Sequence, residues 1–460
     1  MALDRILEAK RQSVAARMAA RPLETFRGAL RPSDRDLLGA LEAAELGLIL
    51  ECKRASPSAG ALREVPDVAQ LGRELAAVAS GISVLTDEPF FGGSFEDLRR
   101  VRETVACPVL CKDFVIDPYQ IYEARHHGAD AILLMLSVLD QPGLERCLAV
   151  CRELRMTALV EVHDREELER ALVFQPALLG INNRNLKTLA IDLRTTEELA
   201  PRVPKSTRLI SESGIEGRGD LRRLRPLVDG FLVGSALMRR PDLGRAAREL
   251  AYGRVKVCGL TRPEDALAAW RSGATFGGLV FATESPRRVS VERARELTRA
   301  APLGWVGVFV NQPAPEVAEL AHELGLAAVQ LHGEESAESV AELRERLPAG
   351  CQLWKAERVV GALPPSLRSD VDRVLLDAHR AERRGGTGAS FDWGPLERWP
   401  ARGEVILAGG LRPENAARAD ALRTWALDVS SGVEAAPGEK DEARLAAFFA
   451  ALRRGSEGRR

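Results

Sequence analysis

No apolar run in this chain approaches the ~18 residues that a bilayer crossing needs, so no membrane span is expected. Nor is there an excess of charge of either sign: 65 Lys and Arg stand against 66 Asp and Glu. That balance removes the electrostatic reason to expect nucleic acid or an anionic membrane surface as a partner. Cysteine is sparse, with Cys52, Cys107, Cys111, Cys147, Cys151, Cys258 and Cys351 scattered along the chain. An odd, dispersed set makes no disulfide framework and fits a reducing cytoplasm. No further His or Cys completes the Cys107/Cys111 or Cys147/Cys151 spacing into a four-ligand zinc set, so no metal is expected. No glycine-rich loop opens a helix after a strand in the pattern of a nucleotide fingerprint, and no cofactor is expected. The N-terminus, Met1-Ala2-Leu3-Asp4-Arg5, mixes charge into helical periodicity, unlike a secretory signal.

What is present is a repeated scheme. Hydrophobic residues make up 45% of the 460 positions, ample for more than one buried core. Short apolar runs at 48–50, 82–85, 109–111, 131–134, 158–160, 178–181, 208–210 and 231–233 give eight candidate strands. Helical patterns such as 117–127, 144–154 and 166–173 fill the gaps. Eight more runs follow at 255–258, 278–281, 306–310, 328–331, 353–356, 374–376, 405–408 and 426–429. Nearly continuous apolar strands belong to parallel sheets covered on both faces. A doubly wound sheet would also alternate, but eight units per half favour closure. The expected fold is α/β, two tandem (β/α)₈ barrels, with domains at 1–253 and 254–460. No Gly/Ser or Pro-rich linker marks the seam at 251–254. Ahead of the first barrel, Leu3, Ile6, Leu7, Val14 and Met18 space an amphipathic helix, expected to pack over one barrel opening.

In such barrels the chemistry gathers where strands end, and phosphate docks on backbone amides after strands 7 and 8. Both halves carry a matching signature. Ser211-Glu212-Ser213-Gly214 is followed by Gly234-Ser235, and Ala408-Gly409-Gly410 by Ser430-Ser431-Gly432. Glycine lets backbone amides approach an anion closely.

Polar side chains cluster at the ends of the first eight strands. Glu51 and Lys53 lie two apart on strand 1 and share a face. Lys112 closes strand 3, Glu161 strand 5, Asn182 and Arg184 strand 6, and Glu212 strand 7. Six or more such groups on one rim exceed what a solvated edge requires. In the second half Cys258 ends strand 1 and Asp377 ends strand 6. A cysteine there is a candidate base, because nearby positive charge stabilises its thiolate. The other six cysteines are expected to be buried small hydrophobes.

These motifs resemble known families. Glu51-Cys52-Lys53-Arg54-Ala55-Ser56-Pro57-Ser58 is similar to the first-strand motif of indole-3-glycerol phosphate synthases. So are Cys111-Lys112-Asp113-Phe114, Leu159-Val160-Glu161-Val162-His163, Gly180-Ile181-Asn182-Asn183-Arg184 and Ile210-Ser211-Glu212-Ser213-Gly214. The resemblance covers roughly 1–252 and implies closure of an indole ring on carboxyphenylamino-deoxyribulose phosphate, with loss of carbon dioxide and water. It implies Ser56 with the amides of Gly214, Gly234 and Ser235 on the phosphate, and Lys53 on the carboxylate. Lys112 would be the general acid and Glu161 the acid or base of the dehydration. Glu51 and Glu212 would orient the lysines or hold substrate hydroxyls.

The second half resembles phosphoribosylanthranilate isomerases over about 254–452. The likeness rests on Lys256-Val257-Cys258-Gly259, Ser285-Pro286-Arg287-Arg288, Gln330-Leu331-His332-Gly333, the stretch 385–393, Leu407-Ala408-Gly409-Gly410 and Asp428-Val429-Ser430-Ser431-Gly432-Val433-Glu434. That family converts an aminoaldose to an aminoketose. The match implies Asp377 as the acid that opens the furanose, Cys258 as the base at C2′ and Arg287 on the anthranilate carboxylate. Gly409, Gly410, Ser430 and Ser431 would hold the phosphate.

Together the two resemblances describe fused bifunctional enzymes of tryptophan synthesis acting on anthranilate-derived sugar phosphates, expected as monomers. The second barrel's product is the first barrel's substrate, so chain order reverses reaction order. A histidine-pathway aminoaldose isomerase uses a carboxylate where Cys258 stands and leaves the first-barrel lysines unexplained. A barrel kept only as a scaffold or binding module would lack an acid–base residue, and neither half does. His163, His332 and His379 share no ligand set and are expected to be solvated or core histidines. The charged run at 379–384 has no assigned role.

Overall fold

The computed structural model describes residues 2–53, 55–56, 60–61, 67–359, 363–364, 366–378 and 392–455. The run at 379–384, and all of 385–393 except its last two residues, lie outside the described residues. The chain divides into two compact units between Ala247 and Arg248, inside the helix Leu243–Tyr252.

The first unit is a closed parallel barrel of eight strands. They are β1 (Gly47–Cys52), β2 (Gly81–Leu85), β3 (Val109–Lys112), β4 (Ala131–Met135), β5 (Thr157–Val162), β6 (Leu178–Asn182), β7 (Arg208–Glu212) and β8 (Gly230–Val233). Each neighbours the next, and β1 closes on β8 with Gly47 opposite Gly230. Ile49, Leu110, Leu133, Leu159, Leu178, Ile210 and Leu232 point inward and form one apolar layer. The helix Leu37–Ala43 inserts Leu37 and Leu41 into the same cluster. That helix was not legible as a separate element, because seven residues carry too little periodicity.

Period-two alternation sets what comes next. Two residues beyond the apolar layer stand Glu51, Lys112, Glu161 and Glu212, so the register that buries the leucines also turns these groups into the mouth.

The N-terminal helix Ala2–Ala20 docks beside β2 and β3. Its Lys10, 4% exposed, pairs with Asp87 at 2.7 Å and Asp113 at 2.5 Å. Arg17 pairs with Glu123 at 3.0 Å, and Tyr119 donates to the Arg21 carbonyl at 3.0 Å. The expectation of a helix across a barrel opening is therefore refined: it lies along the rim, fastened to residues just beyond the strand ends. Lys10→Met leaves two buried carboxylates without their cation. It is expected to cost about 3–5 kcal/mol, read as an earlier first transition in urea unfolding of the full chain. A shift worth under about 1 kcal/mol would place Lys10 among ordinary surface pairs.

The second unit is also a closed parallel eight-stranded barrel. Its strands are β9 (Val255–Cys258), β10 (Phe276–Val280), β11 (Gly304–Phe309), β12 (Ala328–Leu331), β13 (Gln352–Val359), β14 (Arg373–Ala378), β15 (Val405–Leu407) and β16 (Ala426–Val429). It closes with Val255 opposite Leu427. Aromatic rings fill its lower interior: Phe276 meets Trp354 edge-on at 5.4 Å, and Trp354 meets Trp425 at 5.6 Å. Edge-to-face packing of this kind adds about 0.5–1.5 kcal/mol per pair beyond area burial. Above that layer, Lys256, Cys258, Gln330, Asp377 and Asp428 follow the same inward register.

Candidate active sites

A cavity of about 410 Å³ opens at the C-terminal ends of β1–β8. Glu51, Lys53, Lys112, Glu161, Asn182, Arg184, Glu212, Ser213, Gly214, Gly234 and Ser235 all line it. Its apolar walls include Phe91, Phe114, Leu133, Met135 and Leu186. The polar groups fall into two sets. Lys53 Nζ pairs with Glu51 Oε1 at 2.8 Å. Lys112 Nζ donates to Glu212 Oε2 at 3.0 Å and reaches Glu161 Oε2 at 3.4 Å.

The carboxyls of the second set are not equivalent. Burial pushes Glu161 up, but Lys112 and His163 outweigh it and hold the group below the ordinary carboxylate range. Burial also pushes Glu212 up, Lys112 only partly reverses it, and neighbouring Glu161 raises it further, to about 8. Burial depresses the Lys112 ammonium, yet Glu212, Glu161 and Glu51 raise it well above its usual value. The pair beside Lys112 is thus split, with Glu161 held toward its charged form and Glu212 toward its protonated form. At Gly180 any Cβ would meet Glu212 Oε1 at 2.0 Å, so the missing side chain makes room for that carboxyl.

The phosphate-type loop after β7 turns through two consecutive left-handed residues, Ser213 (φ 63°) and Gly214 (φ 83°). Asn183 pins it: its amide nitrogen donates to Ser211 Oγ at 2.9 Å and to the carbonyls of Glu212 and Ser213 at 3.0 and 3.1 Å. The second barrel repeats the bend at Gly409 (φ 83°) and Gly410 (φ 66°). Ser430 donates its hydroxyl to the Cys258 carbonyl at 3.1 Å. Ser56 lies in the short strand Ala55–Ser56, and its side chain is outside the described residues.

In the second barrel a polar chain crosses the interior. Lys256 Nζ donates to Cys258 Sγ at 3.1 Å, to Gln330 Oε1 at 2.8 Å and to Asp428 Oδ2 at 2.8 Å. Gln330 Nε2 lies 3.1 Å from His332 Nδ1, and His332 Nε2 lies 3.6 Å from Asp377 Oδ2. Cys258 and Asp377 are thereby joined through Lys256, Gln330 and His332. Burial raises the Cys258 thiol, and Lys256 only partly reverses that. Arg287 presents its Nε–Nη2 edge to Glu434, at 2.9 and 2.6 Å. Glu434 also accepts from Lys440, whose Nζ donates in turn to the Cys258 carbonyl, both at 2.7 Å.

Residues 3–250 match the family model described as indole-3-glycerol phosphate synthase, and residues 255–451 the one described as N-(5'phosphoribosyl)anthranilate (PRA) isomerase. Tryptophan biosynthesis protein TrpCF of Vibrio cholerae is 49% identical over 98% of this chain and 96% of its own length. The protein of that name from Yersinia pestis is 48% identical over 98% of this chain and 94% of its own. The chain belongs to the bifunctional TrpCF family. The crystal structure of phosphoribosyl anthranilate isomerase from Thermus thermophilus is also similar, with 41% identity over 43% of this chain and 98% of that one, at a TM-score of 0.40.

The expected residues of the first barrel share one cavity, apart from Ser56, whose side chain is not described. His163 is a largely buried histidine held between Glu161 and Glu167. His332 faces Asp377. His379 lies outside the described residues. Lys256, Gln330, Asp428, Glu434 and Lys440 were quoted in motifs or passed over without a role. For Lys256, Gln330 and Asp428 the available signal was register, each standing on an inward position of its strand. For Glu434 and Lys440 there was none, since they lie on a hairpin beyond β16. Among the described residues no cluster of three or more metal-ligating side chains is found, and no helix is long and apolar enough to cross a membrane.

Proposed function

We propose that residues 254–460 isomerise N-(5-phosphoribosyl)anthranilate and that residues 1–253 close the indole ring on the product. In the isomerase, Asp377 protonates the furanose oxygen and Cys258 removes the C2′ proton. The observation that carries this reading is the polar chain from Cys258 to Asp377. It links a thiol at the end of β9 to a carboxyl on β14 of the same barrel, with a lysine beside the thiol. Arg287 meets the anthranilate carboxylate with the guanidinium edge that Glu434 leaves open.

In the synthase, the substrate lies with its phosphate on the amides of Gly214, Gly234 and Ser235 and its ring against Phe91, Phe114 and Leu133. Ser56 joins the phosphate, and Lys53 neutralises the carboxylate that leaves as carbon dioxide. Lys112 protonates the ketone oxygen as the aromatic carbon attacks, and Glu161, ionised, takes the proton lost in dehydration. Asn182 and Arg184 border the sugar. All seven cysteines are free, which suits the cytoplasm.

Feeding phosphoribosylanthranilate to the full chain tests both halves together: indole absorbance should appear without any added enzyme, and its absence would remove the reading. Arg287→Lys isolates one part of it. The loss of the fork is expected to raise the isomerase KM about tenfold or more, with ring closure from supplied ketose unchanged. An unaltered KM would take Arg287 off the carboxylate.

A further inference from the structure

His163 lies two residues beyond Glu161, at the end of β5, and its side chain is 10% exposed. Glu167 reaches back from the first turn of the helix Arg165–Leu172, which Asp164 caps by accepting from the Glu167 amide at 2.9 Å. Glu167 Oε2 lies 2.8 Å from the His163 backbone nitrogen and 3.0 Å from ring Nδ1. On the other side, ring Nε2 is 3.3 Å from Glu161 Oε1. That approach is an ion-pair contact rather than an aligned hydrogen bond, and neither atom has another hydrogen-bonding partner among the described residues.

A neutral imidazole has one N–H and one lone pair. Between two carboxylate oxygens it would aim that lone pair at an acceptor. Only the doubly protonated ring offers a donor to both. The charged groups near it are Glu161 on its own strand and Glu167 on the following helix. Behind Glu161 stand Lys112 from β3 and Glu212 from β7. Glu212 Oε1 is buried and accepts no hydrogen bond in this arrangement. An anionic oxygen there is costly, and a proton on it removes the charge.

We propose that His163 is a positioning residue of the synthase site. Clamped by Glu167, it remains an imidazolium through neutral pH, holds Glu161 as the ionised carboxylate and leaves the proton of the carboxyl pair on Glu212. Burial by itself would lower the His163 pKa; Glu161 and Glu167 reverse that and raise it to about 10. The inference deepens the reading of Glu161 as the proton acceptor and rests on it.

Two measurements on the full-length protein separate them. In histidine-labelled protein, with His163→Gln giving the assignment, the ring nitrogens of His163 should both stay protonated from pH 6 to about 8.5, well above an ordinary histidine. Glu167→Gln should bring the titration down into that window. In the pH profile of kcat/KM for ring closure, His163→Gln removes positive charge beside Glu161, so the Glu161 pKa rises and the acid limb should move up by about one unit. Glu167→Gln leaves the ring protonated on that limb and should not move it up. A neutral His163 ring at pH 7 overturns the proposal, and so does an acid limb that His163→Gln leaves in place. If Glu161→Gln retains ring closure while His163 stays doubly protonated, the clamp is supported and the reading of Glu161 as proton acceptor fails.

Discussion

Lys112→Met is expected to lower ring closure roughly a thousandfold, the range for loss of a general acid, while isomerisation proceeds at the parent rate. The reason is geometric as well as chemical. Lys112 is the cation between Glu161 and Glu212, at 3.4 and 3.0 Å. Met fills most of the same volume but supplies no proton and no charge. The variant therefore loses the donor to the ketone and the cation that keeps Glu161 ionised. Without the ammonium Glu161 takes up a proton more readily, because a buried carboxylate that has lost a neighbouring cation is held less strongly in its charged form. The uptake limits the cost in stability and worsens the cost in rate, since Glu161 then no longer accepts a proton. The assay supplies carboxyphenylamino-deoxyribulose phosphate directly and follows indole absorbance. An undiminished rate would strip Lys112 of its role.

Cys258→Ser should act on the other half-reaction. Isomerisation, followed by the change in anthranilate fluorescence, is expected to fall about a hundredfold to ten-thousandfold. A hydroxyl is a far weaker acid than a thiol, so the serine oxygen is rarely the anion that a base must be. Lys256 keeps Asp428 and Gln330 at 2.8 Å each, so the variant loses little of the surrounding network. Ring closure from supplied ketose should be unaffected. An isomerase that survives the substitution would point to another base, with Asp428, which shares Lys256 with Cys258, the first to test. The two variants mixed in one tube should together restore indole formation from phosphoribosylanthranilate, since each retains the half that the other lacks.

Most of the scaffold was legible beforehand, and the reason is periodicity. Each expected strand lies on an observed one: some coincide, as at 255–258, many extend by one to three residues, as at 157–162 and 352–359, and a few are displaced or shortened, as at 276–280 and 405–407. Hydrogen bonding of a strand continues past its apolar stretch through a polar residue such as Glu161, which hydropathy alone does not count. The candidate residues of the first barrel were legible for the same reason. Glu51, Lys112, Glu161 and Glu212 stand two positions beyond an inward apolar side chain, and a closed barrel has one interior for them to enter. Arg287 was less legible. Its bidentate partner Glu434 is 147 positions away, and no local pattern announces the pair.

Strand order, the inward register and the residue types at the rims are thus written in the chain itself, because alternation and hydrophobic burial act on neighbours and need no knowledge of the far end. Partnership and charge state are different. Which carboxyl keeps a proton beside Lys112, what His163 clamps, how Lys10 fastens a helix to Asp113 and how Cys258 meets Lys256 depend on distances of a few ångströms. Many of these span tens to more than a hundred residues of sequence. Coulomb energy and desolvation are set by those distances, and folding alone creates them.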